Sequence, residues 1–127
     1  RHTRLQGDWS SDVCSSDLLR AMVQRRLPGS TFGDQVQYIS VAGDLDLAQS
    51  SPLARRLAPT AYRNSTGYAE DHGDGLVPVR SALLEGSTPL VLPGVAHGGA
   101  FGSTWYGTPE VVDRWWPAVA NGRPPQP

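Results

Sequence analysis

The run TPLVL at residues 88–92 sets the strictest limit on how this chain can fold. It is wholly apolar, too short for a core helix, and punctuated by Pro89 and Pro93. Such a run suits a strand buried on both faces, as in a parallel sheet covered by helices. A second strand is read at residues 36–41 (VQYISV), rich in β-branched and aromatic residues and stopped by Ala42-Gly43. Two strands cannot by themselves make a sheet with both faces buried, so the rest of the sheet is expected outside this chain.

Helices are read around these strands. Residues 19–27 place Leu19, Met22, Val23 and Leu27 on one face, with Pro28-Gly29 ending the helix. Residues 44–73 read as a long, mostly irregular stretch of the kind that forms a functional loop or lid. One short helix is expected in it, with Ser51 as N-cap and Pro52 at its first position. A single helical turn is expected at residues 81–85, capped by Ser81 and closed by Gly86. A last helix starts at Pro109 with Thr108 as cap and Val112, Trp116 and Val119 as its core stripe. Pro117 is expected to kink or end it, Asn121-Gly122 to stop it, and residues 123–127 to be a disordered tail. The order of elements is that of an α/β protein.

Residues 1–18 stand apart. They show no hydrophobic periodicity and no continuous apolar stretch of a signal peptide. They resemble a sequencing adapter read as protein, with index bases across Leu5-Gln6-Gly7 and adapter codons from Asp8 to Leu18. On that resemblance the segment is non-native, including His2 and Cys14, and is expected to pack against nothing. The native chain is then expected to lack its own start and to be a fragment, residues 19–122 being the C-terminal part of a domain.

Composition excludes several classes. The net charge of −1 and the absence of a cationic run give no footprint for nucleic acid or an anionic membrane. No stretch reaches the roughly 18 apolar residues of a transmembrane segment. The single cysteine excludes an internal disulfide and a zinc cluster of the cysteine type.

Two short stretches carry chemistry, GDGLVP at residues 73–78 and GVAHGG at residues 94–99. Glycines on either side of Asp74 permit a sharp turn that presents the carboxylate. His97 follows the 88–92 strand in a glycine-rich loop, and loops beyond the carboxyl ends of strands form the active sites of open α/β sheets. An acid followed by a histidine in such loops matches the second half of the chain order Ser…Asp…His. Alone, an Asp-Gly turn is usually only a turn, and a histidine in a glycine-rich loop is usually solvated. Glu70 and Asp71 are alternative acids without the glycine turn. A metal site from Asp71, His72, Asp74 and His97 lacks a spaced ligand cluster, so no metal and no cofactor are expected. Trp105, Trp115 and Trp116 read as core and docking residues rather than substrate platforms, and Tyr106-Gly107 as a turn into the last helix.

The stretches YISVAG (38–43), GDGLVPVRSALLEG (73–86), LPGVAHG (92–98) and WYGTPEVVDRWW (105–116) resemble the α/β-hydrolase family. The likeness is to its lipase and esterase members, in particular bacterial and plant lipase-like hydrolases related in fold to the GPI inositol-deacylases. The resemblance implies the last two parallel strands and helices of an α/β-hydrolase fold, its sheet incomplete. It makes Asp74 and His97 the catalytic acid and histidine of a Ser-Asp-His triad. The substrate implied is a small-molecule carboxylic ester or lipid. The chain departs from the family in one respect: no serine has glycine two residues before it, so no G-x-S-x-G elbow exists. The nucleophile and oxyanion donors are expected upstream, and Ser40, Ser81 and Ser103 are not promoted to that role. The chain alone is expected to be inactive. The competing reading is a non-enzymatic α/β interaction module whose glycine-rich loops only connect elements.

Overall fold

The structure, a computed structural model, describes residues 12–121, with side chains from Leu18 onward. Trp9 and the side chain of Val13, on which the packing of the adapter-like segment would be judged, lie outside what is described, as does the 123–127 tail. The elements in chain order are α1 (Asp12–Arg26), β1 (Ile39–Asp44), a 3₁₀ turn (Leu47–Gln49), α2 (Pro52–Thr66), α3 (Val79–Ala82), β2 (Thr88–Pro93) and α4 (Pro109–Ala120). This is a mixed helix-and-strand fold with a small parallel sheet, α/β at the coarse level.

The two strands pair in parallel, with Ile39 opposite Thr88 and Asp44 opposite Pro93, so both end at the same sheet edge. β1 starts three residues later than the sequence suggested, because the Val36 amide turns back to the Phe32 carbonyl at 2.7 Å. It also runs through Gly43, where a stop was expected. Gly43 pairs with Leu92 in the ladder, and the position needs glycine because a Cβ there would lie 2.3 Å from the Val95 carbonyl oxygen. As expected for a sheet of only two strands, β2 is not buried on both faces: Leu92 is buried but Val91 is 40% exposed. The buried side forms the core, in which Leu92, Val95 and Val111 pack with Val41, Leu90, Tyr106 and Trp115. The opposite side of β2 has no covering layer among the described residues.

The stretch read as mostly loop is largely helix. α2 spans 15 residues, with Ser51 Oγ accepting from the Ala54 amide at 3.2 Å and Gly67 closing it at φ 85°. Ala54, Ala58 and Tyr62 recur at helical spacing and are fully buried, which outweighs the interior Pro59. α1 reaches back to Asp12, inside the adapter-like segment, since propagating an existing helix is far easier than nucleating one. Its Leu19, Met22, Val23 and Leu27 are all exposed, so the stripe buries little. α3 starts at Val79 rather than Ser81, Pro78 occupying the cap position. In α4 the buried stripe is Val111 with Trp115, one residue earlier than expected, while Trp116 and Val119 are exposed. Thr108 stands at the cap position, but its hydroxyl donates to the Trp105 carbonyl at 2.7 Å instead of accepting from the helix. Pro117 does not end the helix. Among the described residues no helix is long and apolar enough to cross a membrane.

Candidate active site

The turn that carries Asp74 is held from three sides. Within it, the Asp74 amide donates to the Val77 carbonyl at 3.2 Å, and Gly73 bridges Pro78. The Leu45 amide, just past β1, donates to the Gly73 carbonyl at 2.7 Å and fastens the turn to the carboxyl edge of the sheet. From α2, the buried Tyr62 hydroxyl accepts from the Gly75 amide at 2.8 Å. Gly73 is required by close approach, since a Cβ would lie 2.1 Å from the Val77 oxygen; Gly75 is required by its φ of 104°.

The result is a buried carboxylate, 3% exposed, with both oxygens engaged. Oδ1 accepts from the amides of Leu76 at 3.0 Å and Val77 at 2.7 Å. Oδ2 faces His97 Nδ1 at 3.0 Å and accepts from the Tyr106 hydroxyl at 2.9 Å. Hydrogen bonds to both oxygens satisfy a charge that would be costly to bury alone.

His97 reaches this point through the loop after β2. The Gly94 amide donates to the Asp44 carbonyl at 2.8 Å, Val95 and Ala96 are buried, and the His97 amide donates to the Asp74 carbonyl at 2.8 Å. The Phe101 ring meets the imidazole edge-on, 5.9 Å between centroids. The His97 side chain remains 39% exposed. With Nδ1 committed to Asp74, Nε2 is the nitrogen left to exchange a proton with another group.

Two tyrosines support the acid, and neither was read as doing so from the sequence. Tyr106 Oη accepts from the Gly43 amide at 2.7 Å and donates to Asp74. Burial, then the adjacent Asp74 charge, pushes the Tyr106 phenol well above its ordinary range and keeps it a donor. Burial likewise pushes Tyr62 up to about 12, against the opposing Gly75 hydrogen bond and with help from the Asp74, Asp44 and Asp71 charges. The signal available was a tyrosine between the histidine loop and the last helix, and a glycine at the end of the first strand.

The alternative acids lie elsewhere. Asp71 pairs with Arg80 at 2.8 Å and accepts from Thr66 at 2.8 Å. Burial opposes its ionisation, but the Thr66, His72 amide and Arg80 hydrogen bonds prevail and hold its carboxyl below the ordinary range. Glu70 is exposed. His72 is exposed and meets Asp44 at 3.2 Å, not Asp74. Among the described residues no group of three or more His, Cys, Asp and Glu side chains is arranged to hold a metal ion. Nor does any serine hydroxyl among them hydrogen-bond the His97 ring: Ser40 bonds Ser87 at 2.6 Å and Ser81 bonds Ser65 at 3.1 Å. Trp115 belongs to the core cluster and its Nε1 donates to the Tyr106 carbonyl, whereas Trp105 and Trp116 are exposed.

Comparison of the chain with protein-family models, curated proteins and solved structures gave no match.

Proposed function

We propose that Asp74 and His97 are the acid and base of a Ser-Asp-His triad in a carboxylic-ester hydrolase of the α/β-hydrolase kind. The observation that carries this reading is the 3.0 Å contact between a buried carboxylate and a half-exposed imidazole at the carboxyl edge of a parallel sheet. Asp74 fixes the imidazole tautomer and offsets the imidazolium charge; His97 Nε2 takes the proton of a serine hydroxyl and returns it to the leaving alcohol. The acyl group passes through a serine ester that water then cleaves. The serine and the oxyanion donors are assigned to sequence preceding these residues, where a strand, a G-x-S-x-G turn and a helix are the expected arrangement. No metal or cofactor is needed for this chemistry.

The test is a protein that includes the preceding reading frame, assayed on a short-chain p-nitrophenyl ester and treated with a fluorophosphonate. It is expected to hydrolyse the ester and take the label at the elbow serine. His97→Ala and Asp74→Asn should each lower turnover by about three to four powers of ten. The 127-residue chain alone should turn over no faster than its Asp74→Asn, His97→Ala double variant. A preceding frame without a serine elbow, or a longer protein that neither hydrolyses nor labels, overturns the reading and leaves the interaction module.

A further inference from the structure

We propose that Tyr106 is a positioning residue for the His97 imidazole, acting through Asp74 by sharing the Oδ2 oxygen that the imidazole also uses. Three observations carry it. Tyr106 Oη and His97 Nδ1 approach the same oxygen, at 2.9 and 3.0 Å, while Oδ1 is taken up by two backbone amides. The phenol is itself oriented, because the Gly43 amide donates to it at 2.7 Å from within β1. A hydroxyl that accepts one such bond is a stronger donor of the next, so the chain from Gly43 to Asp74 is mutually reinforcing. The site is also shaped for this hydroxyl: a Cβ at Gly43 would lie 3.0 Å from both Tyr106 Oη and Asp74 Cβ.

The consequence follows from dividing one acceptor between two donors. With the phenol in place, Oδ2 accepts less strongly from the imidazole than it would alone, and its direction is fixed by the Tyr106 bond as well as by His97. Burial and the Asp74 charge both favour the protonated phenol, so the donor is present throughout the neutral range.

The inference rests on reading Asp74 and His97 as an acid–base pair, and its test reads their hydrogen bond without turnover. The probe is the Nδ1–H proton resonance of His97 in the ¹⁵N-histidine-labelled chain. Tyr106→Phe is expected to move it downfield, since Oδ2 then accepts from the imidazole alone; Tyr68→Phe, at an exposed ring, is expected to leave it in place. Should Tyr106→Phe fail to fold, replacement of Tyr106 alone by 3-fluorotyrosine strengthens the phenol donor with almost no change of shape, and the resonance is expected to move upfield. An Nδ1–H resonance that responds to neither change overturns the proposal. Because a protein without esterase activity would still give the shift, failure of the hydrolase reading and failure of this one are separable.

Discussion

Asp74 and His97 are joined twice, once through their side chains at 3.0 Å and once where the His97 amide donates to the Asp74 carbonyl at 2.8 Å. The backbone bond brings the two residues together whatever their rotamers, and the side-chain bond then aligns the imidazole. The pair therefore does not depend on flexible side chains finding each other across a gap. The turn at 73–78 and the loop at 94–98 are one unit, fastened to the ends of β1 and β2 by the Leu45 and Gly94 amides.

This arrangement makes Asp74 a stability residue whatever its part in the proposed chemistry. Its carboxylate accepts from Leu76, Val77, His97 and Tyr106 while 3% exposed. In Asp74→Asn the amide nitrogen must face donors on one side, leaving at least one buried partner unsatisfied at about 1–3 kcal/mol. His97→Ala removes a half-exposed ring, and its cost should stay below about 1 kcal/mol. Urea unfolding of the two variants checks the contrast; equal losses would show that Asp74 is not held as described.

Glycines 67 and 75 should separate conformational strain from crowding. Gly67 has φ 85° with nothing within 4 Å of an added Cβ, so Gly67→Ala should cost about 1–2 kcal/mol from backbone strain alone. Gly75 has φ 104° and a Phe101 carbon 3.1 Å from an added Cβ. Gly75→Ala should therefore lose more, about 2–3 kcal/mol, and should also displace Phe101 from the edge of His97. Thermal unfolding gives the order of the two. Chemical shifts of the His97 ring protons report the displacement, and an unchanged spectrum in Gly75→Ala would contradict it.

The site was more legible than the packing around it. Asp74 and His97 stood out because each sits among glycines beside an apolar run, a pattern that local backbone chemistry explains without tertiary information. The α/β class followed from the order of elements. The length of α2 was hidden because Ala54 and Ala58 are weak hydrophobic signals and Pro59 reads as a breaker; their weight comes from burial in the folded chain, where Ala54 and Tyr62 meet Gly75 of the Asp74 turn. The one-residue shift of the α4 stripe arises because Val111 and Val112 are equivalent in sequence, and the choice between them is made by Leu92 and Val95. Tyr106 was missed for a similar reason: its partners, Gly43 and Asp74, are distant in sequence.

Asp71 sets the behaviour in acid. Its folded-state carboxyl is held below the ordinary value of 3.8 by Thr66, the His72 amide and Arg80, in spite of burial. A depressed folded pKa contributes stability that is present above the unfolded value and lost as pH falls through the folded one. The urea midpoint should therefore decline below about pH 4. Asp71→Asn should flatten part of that decline while lowering stability at neutral pH. A variant as acid-sensitive as the parent would remove Asp71 from the account.

The alkaline limb belongs to the tyrosines beneath the site. Tyr62 is fully buried, and its phenol is pushed from 10.0 to about 12, chiefly by burial. A group with a raised folded pKa binds its proton more tightly when folded. Its contribution is intact below pH 10, the unfolded value, and is lost as pH rises through about 12. Each unit of displacement is worth about 1.4 kcal/mol, and Tyr106, shifted in the same direction by burial and Asp74, adds to the slope. Ionised Tyr62 would also set a second negative charge near Asp74 at the turn that Gly75 anchors. Loss of folded structure should thus accompany tyrosinate formation between pH 10 and about 12. Tyr62→Phe is expected to be less stable at neutral pH, because the Gly75 amide loses its acceptor, yet shallower in its alkaline decline. Urea unfolding across this range, followed together with tyrosinate absorbance, checks both; an alkaline slope as steep in Tyr62→Phe as in the parent would place its origin elsewhere.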